Sequence, residues 1–278
     1  MGANGFIQSP EDIVSLTSYW DGERSADGRP HVSDEVLDNI RAATSEDAWA
    51  TTNKHGYLRQ FASGWRETHP GRVLVGRALT AQFLPHRPDY DAVIVADGER
   101  SGLHEGDRQN SWVIEALAAR DVMVVDIFGK VVEGTVIGDN LGTAIAAHKS
   151  AGAVVDGGVR DLGGLSSLSD VNFFYREADP TPIRNVTLAG MNIPVHIGGA
   201  TVMPGDVVLG TSTGVYFVPP QLAVELAEGA SETASRDRFG KLRLREGRYS
   251  SAAIDTSPWE AEIEQDFQSW RLAGVESR

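Results

Sequence analysis

The sequence predicts an α/β fold, one compact domain with an extension at each end, and three observations carry that prediction. Short apolar runs punctuated by glycine read as strands, the first being 72–83 (RVLVGRALTAQF), 92–96 (AVIVA) and 122–127 (VMVVDI). Stretches with helical apolar spacing, 112–120 and 140–149, alternate with them. No tandem repeat or low-complexity linker divides the 278 residues, a length that suits one large domain.

In chain order, residues 1–32 are polar, with Tyr19 and Trp20 as isolated anchors, and read as an arm docked on the body or on a neighbouring subunit. Ser33 followed by Asp34 and Glu35 has the form of a helix cap with an acidic first turn. Val36, Leu37 and Ile40 supply the apolar face, so a helix is expected from about residue 36. A second helical stretch is expected over 57–65. A polar loop over 97–110 follows the second strand. Gly138-Asp139 opens the helix 140–149, and the buried strand 153–155 ends at Asp156-Gly157-Gly158. Further strands are expected at 173–176, 195–197, 207–209 and 215–218, where Pro219-Pro220 stops the last one before a helix over 221–236. Trp259, Ile263, Phe267 and Trp270 share one helical face, which suits packing on the same chain or burial in an oligomer interface. The expected partition is an arm at 1–32, a catalytic domain at 33–250 and a helical extension at 251–278.

Composition removes several classes of function. With 25 Lys+Arg against 39 Asp+Glu the formal charge is −14, a surface that repels phosphate backbones, so no nucleic-acid partner is expected. Cysteine is absent, which removes disulfides, thiolate metal sites and cysteine nucleophiles together. The start has no signal-peptide pattern, and no apolar run approaches the roughly 20 residues of a membrane span, so a soluble, cytoplasmic protein without a membrane partner is expected. Walker A, HExxH and GxSxG motifs are missing, and Gly157, Gly158, Gly163 and Gly164 have the wrong spacing for a dinucleotide loop. The seven histidines lack metal-ligand spacing.

Residues 134–165 concentrate the chemistry. Asp139 precedes a helix whose first free N–H groups are expected from Asn140, Leu141 and Gly142, a ready site for a small carboxylate or phosphate. Local sequence alone favours Asp139 as only the helix cap. Arg160-Asp161 closes a short apolar strand; the pair is either solvated, or Asp161 binds a hard cation while Arg160 faces substrate oxygens.

Gly138-Asp139, twenty intervening residues, then Arg160-Asp161 resembles the G-D-x20-R-D signature of the RraA-like family, which includes metal-dependent 4-hydroxy-4-methyl-2-oxoglutarate / 4-carboxy-4-hydroxy-2-oxoadipate aldolases and the regulator of ribonuclease E activity. RVLVGRALT at 72–80 is similar to the family's G-x-A-x-T strand, and IPVHIGG, PGDVVLG and GVYFVP within 192–219 are similar to three further blocks, in the same order. The likeness spans roughly 33–250. Thr211-Ser212-Thr213-Gly214 departs from it, since family members usually carry acidic residues there; both ends are longer than usual, and 85–89 and 97–110 look specific to a subgroup.

The resemblance implies a swivelling-type three-layer β/β/α domain assembled as homotrimers or homohexamers. It implies Asp161 as direct ligand of Mg²⁺ or Mn²⁺, Asp139 holding the cation through water, Arg160 on a ketone oxygen, and the amides of Asn140 and Leu141 on a 2-oxo acid carboxylate. The implied reaction is carbon–carbon cleavage of a small 2-oxo acid through a pyruvate-type enolate, with oxaloacetate decarboxylation as a side activity. A neighbouring subunit would supply an acidic residue, with Glu228, Glu232 and Asp237 as candidates. His86, Arg87, Arg100, His104 and Arg108 are candidates for reading the substrate's distal end. The alternatives are a non-catalytic partner-binding regulator, or a sugar-acid dehydratase or decarboxylase on the same scaffold.

Overall fold

The computed structural model describes residues 8–103 and 108–274. Three helices come first: α1 (Pro10–Leu16), α2 (Asp34–Ile40) and α3 (Ser45–Lys54). Side chains set their starts, because Ser9, Ser33 and Thr44 accept the N–H groups of Asp12, Val36 and Asp47, and Thr44 with Asp47 completes a capping box. The helix expected at 57–65 is therefore displaced upstream to α3. Residues 57–67 instead form irregular backbone and two short strands, β1 (Phe61–Ala62) and β2 (Arg66–Glu67).

The body begins with β3 (Leu74–Pro85), then α4 (Pro88–Arg100), α5 (Gln109–Glu115), β4 (Asp121–Asp126) and β5 (Thr135–Ile137). Next come α6 (Asp139–Ala147), β6 (Gly152–Val159), α7 (Leu162–Leu165), β7 (Asn172–Ala178) and β8 (Val186–Met191). The hairpin β9 (Val195–Ile197) and β10 (Ala200–Val202) precedes β11 (Val207–Thr211) and β12 (Gly214–Val218); α8 (Ala223–Arg245), α9 (Ser251–Asp255) and α10 (Ala261–Leu272) end the chain. The strand expected at 92–96 lies inside α4. Pro88 and two aspartates open that helix, and Ile94 and Gly98 face inward four residues apart, Gly98 leaving room for the ring of Trp112. Helical periodicity and tertiary packing thus override the β-branched composition of AVIVA.

The central sheet runs β1-β12-β11-β3-β4-β6-β7-β2. Strands β3, β4, β6 and β7 are parallel, whereas β11 and β8 share the other edge of β3, both antiparallel. Strand β6 also has a divided edge: it pairs with β4 up to Asp156 and then with β5 at Gly158 and Val159. Alternation along the strands separates two cores. Leu79, Met123, Val125, Ala153, Val155 and Phe173 face α4 to α7, while Val122, Val124, Val154 and Phe174 face the β9–β10 hairpin and the inner side of β11–β12. A third cluster packs the outer side of β11–β12 on α2, α3 and α8. The layers run helix, parallel sheet, second β layer, a mixed α/β architecture. Among the described residues no helix is long and apolar enough to cross a membrane.

Both extensions pack on the body. Arg29 of the arm, 3% exposed, reaches Asp121 at the start of β4 (2.8 Å) and Asp27 (2.6 Å), and Arg77 approaches the same Asp121 at 3.9 Å. At the other end, Ile263, Phe267 and Trp270 close over Phe239 of α8, with ring centroids 5.4 Å apart for Phe239 and Phe267. Arg29→Ala strands a buried carboxylate and is expected to cost about 3 kcal/mol in urea unfolding. Loss of the exposed Arg41–Asp38 pair by Arg41→Ala should cost under about 1 kcal/mol.

Asp206, in the turn before β11, is 2% exposed and accepts the N–H of Met203 (2.8 Å); burial pushes its carboxyl up to about 8. The raised value means that its contribution to stability is complete below the ordinary carboxylate range and is lost as pH rises towards 8. Asp206→Asn keeps an acceptor for Met203, so its melting temperature should rise relative to wild type from pH 4 to pH 8. A pH-independent difference between the two proteins would contradict this assignment.

Candidate active site at the ends of two parallel strands

Strands β5 and β6 end side by side. The Arg160 N–H donates to the Ile137 carbonyl at 3.0 Å, and beyond that bond each chain turns into a helix, residues 138–139 into α6 and residues 160–161 into α7. Four sequence-predicted residues, Asp139, Asn140, Arg160 and Asp161, are thereby gathered at one end of the sheet, the end where open α/β folds bind ligands.

Two glycines set the spacing. A Cβ on Gly138 would lie 2.8 Å from Asp161 Oδ2 and 3.2 Å from Cγ and Cζ of Arg160. A Cβ on Gly164 would overlap the Asp139 side chain and lie 3.2 Å from its Oδ2. Each aspartate is thus seated against a glycine next to the other, and the two turns interlock.

Asp161 adopts a left-handed backbone (φ 55°, ψ 45°), which costs a non-glycine residue about 1 kcal/mol, and its carbonyl accepts the Leu165 N–H that begins α7. Its Oδ2 takes a 2.8 Å bond from Arg160 Nη1, with the two side chains 40% and 39% exposed. An ion pair so exposed is weakly held, and either partner can be exchanged for a ligand. Asp161 Oδ1 takes no hydrogen bond among the described residues.

Asp139 is the first residue of α6, and the capping position belongs to Gly138, which offers no side chain to the first turn. Asp139 Oδ1 accepts the Asn140 N–H at 2.8 Å. Gly142 and Asn140 are corrections: the Gly142 N–H already donates to the Gly138 carbonyl at 2.8 Å and the Asn140 N–H to Asp139 Oδ1, leaving Leu141 as the amide candidate. The lack of a side chain at Gly142 instead admits Leu165, packing α6 against α7.

The donor set fits a sparsely held hard cation. Among the described residues no three His, Cys, Asp or Glu side chains converge on one point, so an all-protein cage is not formed there. One half-exposed carboxylate with an oxygen to spare, flanked by a second carboxylate, matches the way Mg²⁺ keeps most of its water.

Candidates for the distal end separate. His86 lines a cavity of about 370 Å³ with Asp91, Asn110, Arg184 and Asn185. The cavity adjoins β5, because Asn110 Nδ2 donates to the Val136 carbonyl at 2.8 Å. Arg87 and Arg100 are turned to neighbouring aspartates, Asp89 (2.7 Å) and Asp97 (2.8 Å). Arg108 is exposed just before α5, and His104 lies outside the described residues. Arg184 and Asn110 carry no sequence signal, since only the β3–β8 pairing, with the His86 N–H on the Asn185 carbonyl at 3.0 Å, brings that segment to His86. Glu228, Glu232 and Asp237 stand on α8, where Glu232 bonds Arg236 and Arg271 (3.0 Å each) and Asp237 bonds Lys241 (2.9 Å).

Asp161→Gly is expected to leave thermal stability within about 1 kcal/mol of wild type, because it relieves a left-handed residue, while abolishing divalent-cation affinity in a calorimetric titration. Gly138→Ala has no backbone penalty at φ −118°, so it should fold normally yet lower that affinity at least about tenfold by crowding Asp161 Oδ2.

Comparison with known proteins identifies the family. The family model described as RraA-like, Aldolase/RraA, matches residues 30–217. Protein DlpA of Legionella pneumophila is 25% identical over 248 residues, covering 88% of this chain, which spans only 35% of that relative's length. A protein of Halalkalibacterium halodurans named "Putative 4-hydroxy-4-methyl-2-oxoglutarate aldolase" is 29% identical over 99 residues, 36% of this chain and 46% of its own. Among solved structures, RraAS2 of Streptomyces coelicolor, described as an unusual member of the RNase ES inhibitor RraA protein family, superposes with a TM-score of 0.65 at 25% identity, covering 77% of this chain and 99% of that one. With the family model spanning more than half its length, the chain belongs to the RraA-like family, which holds both aldolases and ribonuclease regulators.

Proposed function

We propose that this protein is a divalent-metal-dependent carbon–carbon lyase acting on a small 2-oxo acid. The observation that carries the reading is the interlock of Gly138-Asp139 with Arg160-Asp161 beside the uncapped first turn of α6. A Mg²⁺ or Mn²⁺ ion held by Asp161 would supply Lewis acidity towards the carboxylate and ketone oxygens of the substrate.

The remaining work falls to the chain itself. The Leu141 amide and the α6 dipole receive the substrate carboxylate, and the Asn140 amide joins them once it leaves Asp139 Oδ1. Arg160, released from Asp161, donates to the ketone oxygen, where negative charge grows as the C3–C4 bond breaks. Asp139, exposed at the mouth, orients a water that takes the proton of the C4 hydroxyl. The C4 hydroxyl, losing its proton, becomes a carbonyl as the C3–C4 bond breaks; the bond electrons form the C2=C3 double bond of an enolate with its charge on the C2 oxygen, and protonation at C3 releases pyruvate. Oxaloacetate, losing carbon dioxide in place of an aldehyde or ketone, reaches the same enolate, so decarboxylation is expected as a side activity.

A second reading is supported by the solved relative's description as a member of an RNase ES inhibitor family and by the formal charge of −14, which suits a basic partner. The two readings part in one assay. Metal-stripped protein is expected to release pyruvate from oxaloacetate and from 4-hydroxy-4-methyl-2-oxoglutarate only after Mg²⁺ or Mn²⁺ is restored. Arg160→Ala and Asp161→Ala should each lower kcat about 100-fold or more. Turnover of neither substrate despite cation binding would move the proposal to a sugar acid or another oxo acid; absence of cation binding would leave the regulator reading standing.

A further inference from the structure

The lyase reading makes no use of a cavity of about 310 Å³ between the arm and the body. Its walls are mostly apolar and aromatic, with Leu16, Tyr19 and Trp20 from the arm, Tyr57 after α3 and Pro219-Pro220 after β12, while Thr17, Gln60, Thr201 and Gln221 add neutral polar groups. Two of the rings are fixed, because Trp20 Nε1 donates to the Glu23 carbonyl (2.7 Å) and the Tyr57 hydroxyl accepts from Gln221 Nε2 (2.8 Å). Tyr19, 88% exposed, stands free at the mouth.

Asp206, whose carboxyl is buried, is also among the residues lining this cavity. Its one hydrogen-bond partner is the Met203 N–H, and no cation pairs with it among the described residues. A turn cap alone needs only a neutral acceptor, which asparagine provides without the cost of burying an acid. The combination of a buried carboxyl group with aromatic faces selects by charge and shape. A metal ion would find one carboxyl group among mostly apolar walls, and an anion would find no basic side chain in the lining. An organic cation gains from both features, its charge paired with the carboxylate and its alkyl groups packed on the rings.

We propose that this cavity binds a small organic ammonium ion, its charge on Asp206 and its alkyl groups against Trp20 and Tyr57. Burial holds the Asp206 carboxyl near 8, so an arriving ammonium would draw it into the ionised form and release a proton. The site stands apart from the lyase centre and does not depend on that function.

The test uses full-length protein at pH 8 with n-butylammonium, tetramethylammonium and the neutral 1-butanol, followed by calorimetry and tryptophan fluorescence. The expected result is saturable one-to-one binding of the two cations, none of the alcohol, and an affinity at least about tenfold weaker in Asp206→Asn. Trp20→Ala, on the arm, should weaken binding by a similar factor and carries the test if Asp206→Asn fails to fold. Equal binding of 1-butanol, unchanged affinity in a folded Asp206→Asn, or binding of neither cation would overturn the proposal. So would a cavity filled by a second copy of the chain, seen as a dimer that Tyr19→Asp dissociates and that leaves the cations unbound.

Discussion

The hydrogen bond from Arg160 N–H to the Ile137 carbonyl is the last rung between β5 and β6, and the candidate site depends on the register it fixes. A one-residue slip would turn every side chain of the shorter strand to the opposite face. It would also separate Gly138 from Asp161 and Gly164 from Asp139, the two close approaches that seat the carboxylates. The rung in turn exists because β6 changes partner along one edge, from β4 to β5, once β4 ends at Asp126. The site is a consequence of that hand-over rather than of any single side chain.

One of the left-handed non-glycine turns lies at the same place. Asp161 holds a left-handed backbone while its neighbours in β6 are extended and buried, so a rigid parallel sheet bears the cost of an unfavourable turn. The turn directs the chain into α7, whose Leu165 fills the space left by Gly142 and locks α6 in position. Polar side chains stay half-exposed and exchangeable at the mouth, while the layers beneath are packed on both faces of the sheet. Around this body the arm is anchored by the buried Arg29–Asp121 pair and the C-terminal helix by Phe239, so both extensions bury surface in their own chain.

Much of this was legible in the sequence, and the exceptions have physical causes. The cap at Ser33, the strands at 173–176, 195–197, 207–209 and 215–218, and the face of Ile263, Phe267 and Trp270 on α10 follow from local patterns that tertiary packing reinforced, whereas the cap expected at Asp139 falls one residue earlier, at Gly138, and Trp259 precedes its helix. AVIVA failed because β-branched composition outweighed a spacing of four between Ile94 and Gly98 that only the partner Trp112 makes visible. The segment at 57–65 failed because the capping box at Thr44 starts the helix at Ser45, twelve residues earlier. Gly142 was counted as a free amide although a glycine cap at Gly138 still supplies a carbonyl to it. Asn110, Arg184 and the Asp206 cavity were beyond local reading, since each is assembled by segments far apart in the chain.

The central claim is that the paired turns after β5 and β6 hold a divalent cation together with an enolate-forming substrate. Titration of Mn²⁺ followed by electron paramagnetic resonance, with and without oxalate as a planar mimic of the pyruvate enolate, addresses both halves at once. The account predicts one Mn²⁺ per chain, tightened by oxalate in wild type, with the oxalate effect lost in Arg160→Ala and cation binding lost in Asp161→Asn. Mn²⁺ binding that ignores Asp161→Asn, or that oxalate leaves unchanged in wild type, would contradict it.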